Sequence, residues 1–205
     1  MNATRIASLL MMVSLPVGAE KVNFDQDAVG SLPGDWVAGV TGRGESKWIV
    51  EADPTAPSAP NVLRQSGVGA FPWCIKKGTA LADGVLEVKF KPISGKEDQA
   101  GGVVWRAKDS DNYYIARANA LEDNVTIYHT VKGKRTEKKR TDMKVASGQW
   151  HTLRVDFSDN HFTVTLDGKK AIEWDDKTFT EAGMVGVWTK ADSVTLFDDF
   201  SCGSR

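Results

Sequence analysis

Residues 113–124 read YYIARANALEDN, and alanine occupies every second position from 116 to 120. A period of two is typical of a β-strand, whose successive side chains point to opposite faces of a sheet. One face of this strand is therefore nearly bare, whereas the other carries a phenol, a guanidinium and an amide. The two faces predict two different environments, so the neighbouring segments decide which face meets the core.

The same alternation continues on both sides of this stretch. Apolar residues take every second position in residues 86–90, 153–157 and 162–166, and turn-forming pairs such as Asp167-Gly168 separate the runs. Helical periodicity is almost absent. Many short strands without intervening helices indicate an all-β protein built as an antiparallel sandwich or barrel.

Pairing the three strands 102–108, 113–120 and 125–131 through four-residue turns sorts their side chains into two faces. Val104 is then expected opposite Arg117, and Arg117 opposite Tyr128. The predicted core face contains Val103, Trp105, Tyr114, Ala116, Ala118, Val125 and Ile127. The other face contains Val104, Arg106, Tyr113, Ile115, Arg117, Asn119, Thr126 and Tyr128.

The second face suits a neutral, hydroxyl-rich ligand, because planar groups stack on sugars and guanidinium forks donate paired hydrogen bonds. An ordinary exposed face with Arg–Tyr stacking is the alternative. In the later run MVGVWTK, inward-facing valines place Trp188 and Lys190 on the outer side. Trp188 is either a sugar-stacking platform or a half-buried edge residue.

The first residues resemble an export signal. A basic start with Arg5 precedes a short apolar run, residues 6–17, and small residues ending at Ala19 follow. We expect cleavage after Ala19, a mature domain of residues 20–205, a secreted or periplasmic location and no membrane span. Loss of Arg5 takes the formal net charge from −1 to −2, which argues against nucleic acid as a partner.

Cys74 and Cys202 are the two cysteines of the chain. In an oxidising compartment they are candidates for one disulfide, which would close a loop of more than a hundred residues and add about 4 kcal/mol. Spacing alone leaves open whether the two residues approach each other.

At the Asp167-Gly168 turn, a three-residue loop pairing Phe162 with Ile172 collects more apolar partners than a two-residue loop.

Several segments resemble the 3-keto-disaccharide hydrolase family, a group related to family 16 glycoside hydrolases. They are GGVVWRAKDSDNYYIARANALEDNVTIYH, GKRTEKK, SGQWHTLRVDF, VTLDGKKAIEWDDKTFTEAGMVGVWTKADSV and FDDF. The likeness runs from about residue 24 to residue 200. It implies a concanavalin A-like jelly-roll sandwich of two antiparallel sheets with a ligand across the concave sheet. It also implies either chemistry on 3-keto glycosides or glycan binding without catalysis.

Elimination from a 3-keto glycoside needs a base near C2, an acid at the leaving oxygen and a donor or divalent cation at the ketone oxygen. Arg106 or Arg117 could polarise that oxygen. Glu122 and Asp123 follow the polar face but sit in a turn, and His129 falls on the core-facing set, so all three are more typical of structural residues.

Other patterns carry less information. Laminarinase-type family 16 enzymes place acidic residues as E-x-D-x-x-E, but here Glu173 and Asp175 are followed by Thr178. Retaining glucanase activity is therefore not expected, since it needs two carboxyl groups about 5–5.5 Å apart.

A structural calcium between Asp25, Asp198 and Asp199 is one option. The basic run of residues 132–140 indicates a solvated hairpin, with anionic-glycan binding as a minor alternative. A laminin G-type protein-interaction domain is a third reading.

Overall fold

The computed structural model describes residues 19–204, which form fifteen β-strands and no helix. The strands are β1 (Glu20–Val22), β2 (Trp36–Gly44), β3 (Trp48–Ala52), β4 (Asn61–Gln65), β5 (Gly69–Leu81), β6 (Gly84–Ser94), β7 (Ala100–Asp109), β8 (Asn112–Asn119), β9 (Asn124–Val131), β10 (Lys134–Asp142), β11 (His151–Ser158), β12 (His161–Leu166), β13 (Lys169–Asp175), β14 (Gly183–Trp188) and β15 (Val194–Gly203). The expected leader lies outside this part of the chain, apart from Ala19. Within residues 19–204 there is no helical segment of the length and apolarity that crossing a bilayer requires.

The strands form two antiparallel sheets. Sheet A has the order β13-β12-β11-β6-β15-β4-β3, with β1 also paired to β15, and sheet B has the order β10-β9-β8-β7-β14-β5-β2. Strands distant in sequence are neighbours in both sheets, for example β6 beside β15 and β5 beside β14. This is the predicted all-β sandwich of two antiparallel sheets.

The core lies between the inner faces of the two sheets. Trp105 and Tyr114 of sheet B stack with ring centroids 5.4 Å apart, and Phe162 of sheet A packs against both rings. Small residues make room for large ones. A Cβ on Gly101 would lie 2.3 Å from the ring of Phe90 on the opposite sheet. The buried alanines of β8 belong to this inner face, as predicted.

The strand pairing differs from the prediction by two residues. Arg117 lies opposite Gly102 and Thr126, not opposite Val104 and Tyr128. A shift of two residues keeps every side chain on its face, because the side-chain period of a strand is also two. The predicted division into an inner and an outer face therefore holds along β8 and β9.

The hairpin between β12 and β13 differs in a similar way. A two-residue turn joins the strands, and a bulge in β13 pairs Phe162 with Trp174 and Val164 with Ile172. Asp167 and Gly168 both have positive φ, which suits a two-residue hairpin turn. The three-residue loop is wrong, but the bulge restores the same apolar face that it was invoked to explain.

The disulfide expectation is not met. Cys74 on sheet B and Cys202 on sheet A are both buried and both free thiols. Burial raises the pKa of each thiol, that of Cys202 to about 11, so both behave as small apolar core residues.

Candidate functional site

The outer face of sheet B brings together most of the predicted site residues, but it does not expose them. Tyr113, Arg117, Asn119, Tyr128 and Trp188 are at most 3% exposed, whereas Lys190 is partly exposed. Several of these side chains belong to a second apolar cluster on this face, together with Val104, Ile115, Phe71 and Trp73. Trp188 is therefore a buried residue and not a stacking platform open to solvent.

Arg106 does not belong to this face. A bulge in β7 follows Trp105, and Arg106 has a positive φ of 47°. Its guanidinium lies 5.5–5.8 Å from the ring centroids of Phe157 and Phe162 in the core. The prediction that Arg106 contacts a ligand beside Arg117 is wrong, because the bulge reverses the alternation at this position.

Arg117 is the centre of a hydrogen-bonded network. Its two Nη atoms donate to Asn124 Oδ1 at 2.9 Å, to Glu122 Oε2 at 2.8 Å and to Tyr128 Oη at 3.0 Å. Burial opposes ionisation of Glu122, but the hydrogen bonds from Arg117 and Asn124 outweigh it and lower the pKa of Glu122 to about 2. The carboxylate of Glu122 is therefore a weak base that fixes Arg117.

Asp98 lies at the same end of sheet B, at the loop before β7. It is fully buried and accepts hydrogen bonds from Asn119 Nδ2 and from the ammonium of Lys190. Burial raises the pKa of Asp98, with Lys190 acting in the opposite direction. The loop is held in place because the backbone N–H groups of residues 96–98 donate to the Asp192 carboxylate at 2.7–3.2 Å. Asp98 therefore fixes the position of the Lys190 ammonium group from the buried side of the site.

Arg135 extends from the edge strand β10 across the aromatic residues of this face. Its guanidinium lies 4.3 Å from the ring centroid of Tyr128, 4.5 Å from that of Phe71 and 5.5 Å from that of Trp188. Phe71 and Trp188 are themselves stacked, with centroids 5.9 Å apart. The three rings fix the plane of the guanidinium by cation–π contacts.

A groove of about 480 Å³ opens beside Arg135. We call it the Arg135 groove; it is lined by Arg43, Gly44, Val68, Gly69, Ala70, Phe71, Glu97, Arg135, Lys190 and Ala191. Its volume lies within the usual range for small-molecule sites, about 300–1,000 Å³. Three cationic side chains and one carboxylate, Glu97, line it, above a floor that includes an aromatic ring.

The remaining candidates have structural partners. His129 Nδ1 lies 3.0 Å from Thr178 Oγ1, near the end of β9. Asp123 accepts hydrogen bonds from Lys144 and from the backbone of Val145. The residues proposed for calcium bind protein groups instead: Asp198 accepts from Ser58, Asp199 pairs with Lys89 at 2.6 Å, and Asp25 accepts from Asn61. No group of three or more potential metal ligands occurs within residues 19–204.

Sequence reasoning missed four polar residues of this site, namely Arg43, Glu97, Asp98 and Arg135. Arg135 was included only in a basic run expected to be solvated, and most of β10 is indeed exposed. Every residue of β10 is polar or charged, so no apolar alternation in the sequence marks Arg135 as the residue that turns toward the sheet. Glu97 and Asp98 lie in a loop, where no periodicity indicates which way a side chain points.

Two antiparallel sheets packed face to face, with a groove at the outer face of one sheet, define a concanavalin A-like jelly-roll sandwich. Within this class, the chain belongs to the family of 3-keto-alpha-glucoside-1,2-lyase-like domains, because the sequence model of that family matches residues 24–199. The chain has no significant match among curated protein sequences.

Solved structures with the same fold include a carbohydrate binding module, a cellulose induced protein and a β-glucanase. Carbohydrate binding module CBM66 from Bacillus subtilis has a TM-score of 0.69 and 17% identity over 83% of this chain and 96% of its own. Cellulose induced protein Cip1 has a TM-score of 0.65 and 10% identity over 91% and 97%. A β-glucanase from Bacillus licheniformis has a TM-score of 0.61 and 12% identity over 92% and 98%. At these identities the likeness shows the fold alone.

Proposed function

We propose that this protein binds a saccharide in the Arg135 groove and eliminates the C1 substituent from 3-keto glycosides. The observation that carries the proposal is the convergence of Lys190, Arg135 and Glu97 on one groove of suitable size. Membership of the 3-keto-alpha-glucoside-1,2-lyase-like family supports the reaction type, and the carbohydrate-binding module of the same fold supports a saccharide ligand.

The reaction follows from the chemistry of a ketone at C3. The carbonyl acidifies the proton at C2, so a base can remove it, and the electron pair moves onto the C3 oxygen as an enolate. Return of that pair forms the C1–C2 double bond and expels the C1 substituent, which takes up a proton as it leaves. The site must therefore supply a base, a proton donor and positive charge at the C3 oxygen.

Three cationic side chains line the groove, and we assign Lys190 among them to the developing enolate charge at the C3 oxygen. Glu97 is the lining carboxylate, and within the described part of the chain no hydrogen bond or ion pair engages its side chain. We assign Glu97 as the base that takes the C2 proton and returns it to the leaving oxygen. Asp98 and Asn119 position Lys190 without reaching the substrate.

The other predicted binding residues support the groove in this proposal. Arg117 and Tyr128 form the buried layer beneath it, and Tyr128 and Trp188 hold Arg135. Tyr113 closes the far side of the same face by sharing a hydrogen bond of 2.6 Å with Thr41. We expect these side chains to act through the residues that they position.

Saccharide binding without catalysis is the second candidate. It is favoured by the state of the other two nearby carboxyl groups, because Glu122 is held by Arg117 with a lowered pKa and Asp98 is fully buried. If Glu97 does not act as a base, the groove binds a sugar and leaves it intact.

The experiment is incubation of the purified protein with phenyl 3-keto-glucoside and measurement of released phenol. We expect release by the wild type and at least a hundredfold loss in Glu97→Gln and in Lys190→Met. Lys169→Met on the exposed edge of β13 is the control and should react like the wild type. Binding of the substrate without release of phenol would favour the second candidate.

We also propose export of the protein, from its basic start and apolar leader, which fractionation of expressing cells tests directly.

A further inference from the structure

The arginines of the described chain divide into two groups. Arg64, Arg106, Arg117, Arg140 and Arg154 each have a carboxylate within salt-bridge distance. Arg43 and Arg135 have none among residues 19–204, and these two arginines line the Arg135 groove. The uncompensated guanidinium charge of the described chain is therefore concentrated in one place.

Arg135 carries this charge in a largely buried position. Its Nη1 atom is buried and has no hydrogen-bond partner among the described residues. Burial lowers the pKa of Arg135, and the nearby guanidinium of Arg117 acts in the same direction. Aromatic faces offset part of the cost of burying a cation, but they do not satisfy its N–H donors.

The wall of the groove reinforces this imbalance. Lys190 already has a carboxylate partner in Asp98, whereas the lining of the groove offers a single carboxylate, Glu97, for both Arg43 and Arg135. A planar guanidinium fork matches the two oxygens of a carboxylate better than it matches a lone hydroxyl. An oxyanion on the ligand would supply the partner that the protein does not provide.

We infer that the saccharide bound in the Arg135 groove is acidic, with the carboxylate of a uronic acid residue placed between Arg135 and Arg43. The inference rests on the proposed function for the choice of a saccharide, and it adds the charge of the ligand. A sulfate ester presents related oxyanion chemistry, so the experiment separates the two sources. The solvated basic hairpin predicted from residues 132–140 thus contributes one residue, Arg135, to recognition.

The test is calorimetric titration of the purified protein with methyl glucuronide, methyl glucoside and methyl glucoside 6-sulfate. We expect the glucuronide to bind at least tenfold more tightly than the neutral glucoside, as charge-assisted hydrogen bonds imply. Its affinity should fall between 0.05 and 0.5 M salt, roughly a threefold change in screening length, while that of the glucoside stays constant. Tighter binding of the sulfate than of the glucuronide would overturn the assignment to a carboxylate.

Variants locate the effect. Arg135→Gln and Arg43→Gln should each reduce the glucuronide preference about tenfold, and the exposed Arg43 carries little risk to folding. Arg140→Gln, on the exposed side of the same strand as Arg135, is the matched control and should retain the preference. Equal binding of glucuronide and glucoside would overturn this inference and leave saccharide binding intact. Binding of none of the three sugars would overturn both.

Discussion

Arg106 gives the sharpest test of the distinction between the core and the site, and we predict that its removal destabilises the fold. Its guanidinium donates to three backbone carbonyl oxygens, those of Ala82 at 2.8 Å, Phe179 at 2.7 Å and Asp159 at 2.5 Å. The side chain is fully buried and packs on aromatic rings of sheet A. It therefore ties three loops to one end of the sandwich.

The magnitude follows from these contacts. A hydrogen bond from a charged donor contributes about 1.5–3 kcal/mol, so three of them set an upper range of about 4.5–9 kcal/mol. The residues that carry the three acceptors are half-buried or exposed, so water can replace part of each bond in the variant. We therefore expect Arg106→Ala to lower the free energy of unfolding by about 3–5 kcal/mol, and the melting temperature by roughly 10 °C. Arg106→Lys keeps the charge but loses the planar fork, and should cost about 2 kcal/mol.

The assay is urea unfolding followed by tryptophan fluorescence, paired with titration of the saccharide at a temperature where both proteins are folded. Arg140→Ala is the control, because Arg140 forms an exposed ion pair with Glu137 that is worth less than about 1 kcal/mol. The reasoning is refuted if Arg106→Ala unfolds within about 1 kcal/mol of the wild type. Loss of saccharide binding without loss of stability would return Arg106 to the site.

Three further predictions concern packing, pH and redox state. Gly186→Ala should lower the free energy of unfolding by about 2–3 kcal/mol in a urea titration, because a Cβ there would lie 2.1 Å from a backbone oxygen; Gly34→Ala, with no atom within 4 Å, is its control. Glu122 has its pKa lowered from 4.5 to about 2 by Arg117 and Asn124 against the effect of burial, so its carboxylate stabilises the fold above pH 4.5 and this contribution is lost as the pH falls toward 2. Glu122→Gln should flatten that part of the pH–stability curve, and an unchanged slope would contradict the assignment. A reducing agent should leave the melting temperature unchanged, and both thiols should react with a thiol reagent only on unfolding; a lowered melting temperature would show that Cys74 and Cys202 are bonded.

The sheets and their faces were predictable because alternation carries that information locally. A register error of two residues at Arg117 did not matter, since it moved each residue to another position on the same face. A bulge does matter, because a single extra residue reverses the face, and nothing in the sequence around Arg106 announces one. A positive φ is uncommon for an arginine, and the alternation of apolar and polar residues does not indicate where one occurs.

The chemistry of the site was less accessible to sequence reasoning. In sheet B, β7 lies between β8 and β14. Asp98 precedes β7, so it meets Asn119 at the end of β8 and Lys190 just after β14, although Lys190 comes 92 residues later in the chain than Asp98. Arg135 lies on the edge strand β10 and Phe71 on β5, beside the opposite edge strand, yet the guanidinium is 4.5 Å from the ring centroid. Burial is likewise a property of the assembled face, so Trp188 seemed equally suited to solvent and to the interior.

The proposed elimination in the Arg135 groove depends on Glu97 as the base and on Lys190 at the enolate oxygen. The most direct measurement is the rate at which the wild type and Glu97→Gln release phenol from phenyl 3-keto-glucoside, with identification of the sugar product. The account predicts phenol release together with an unsaturated 3-keto sugar, and at least a hundredfold slower release by the variant. Equal rates for the two proteins, or no release by the wild type although the sugar binds, would contradict it.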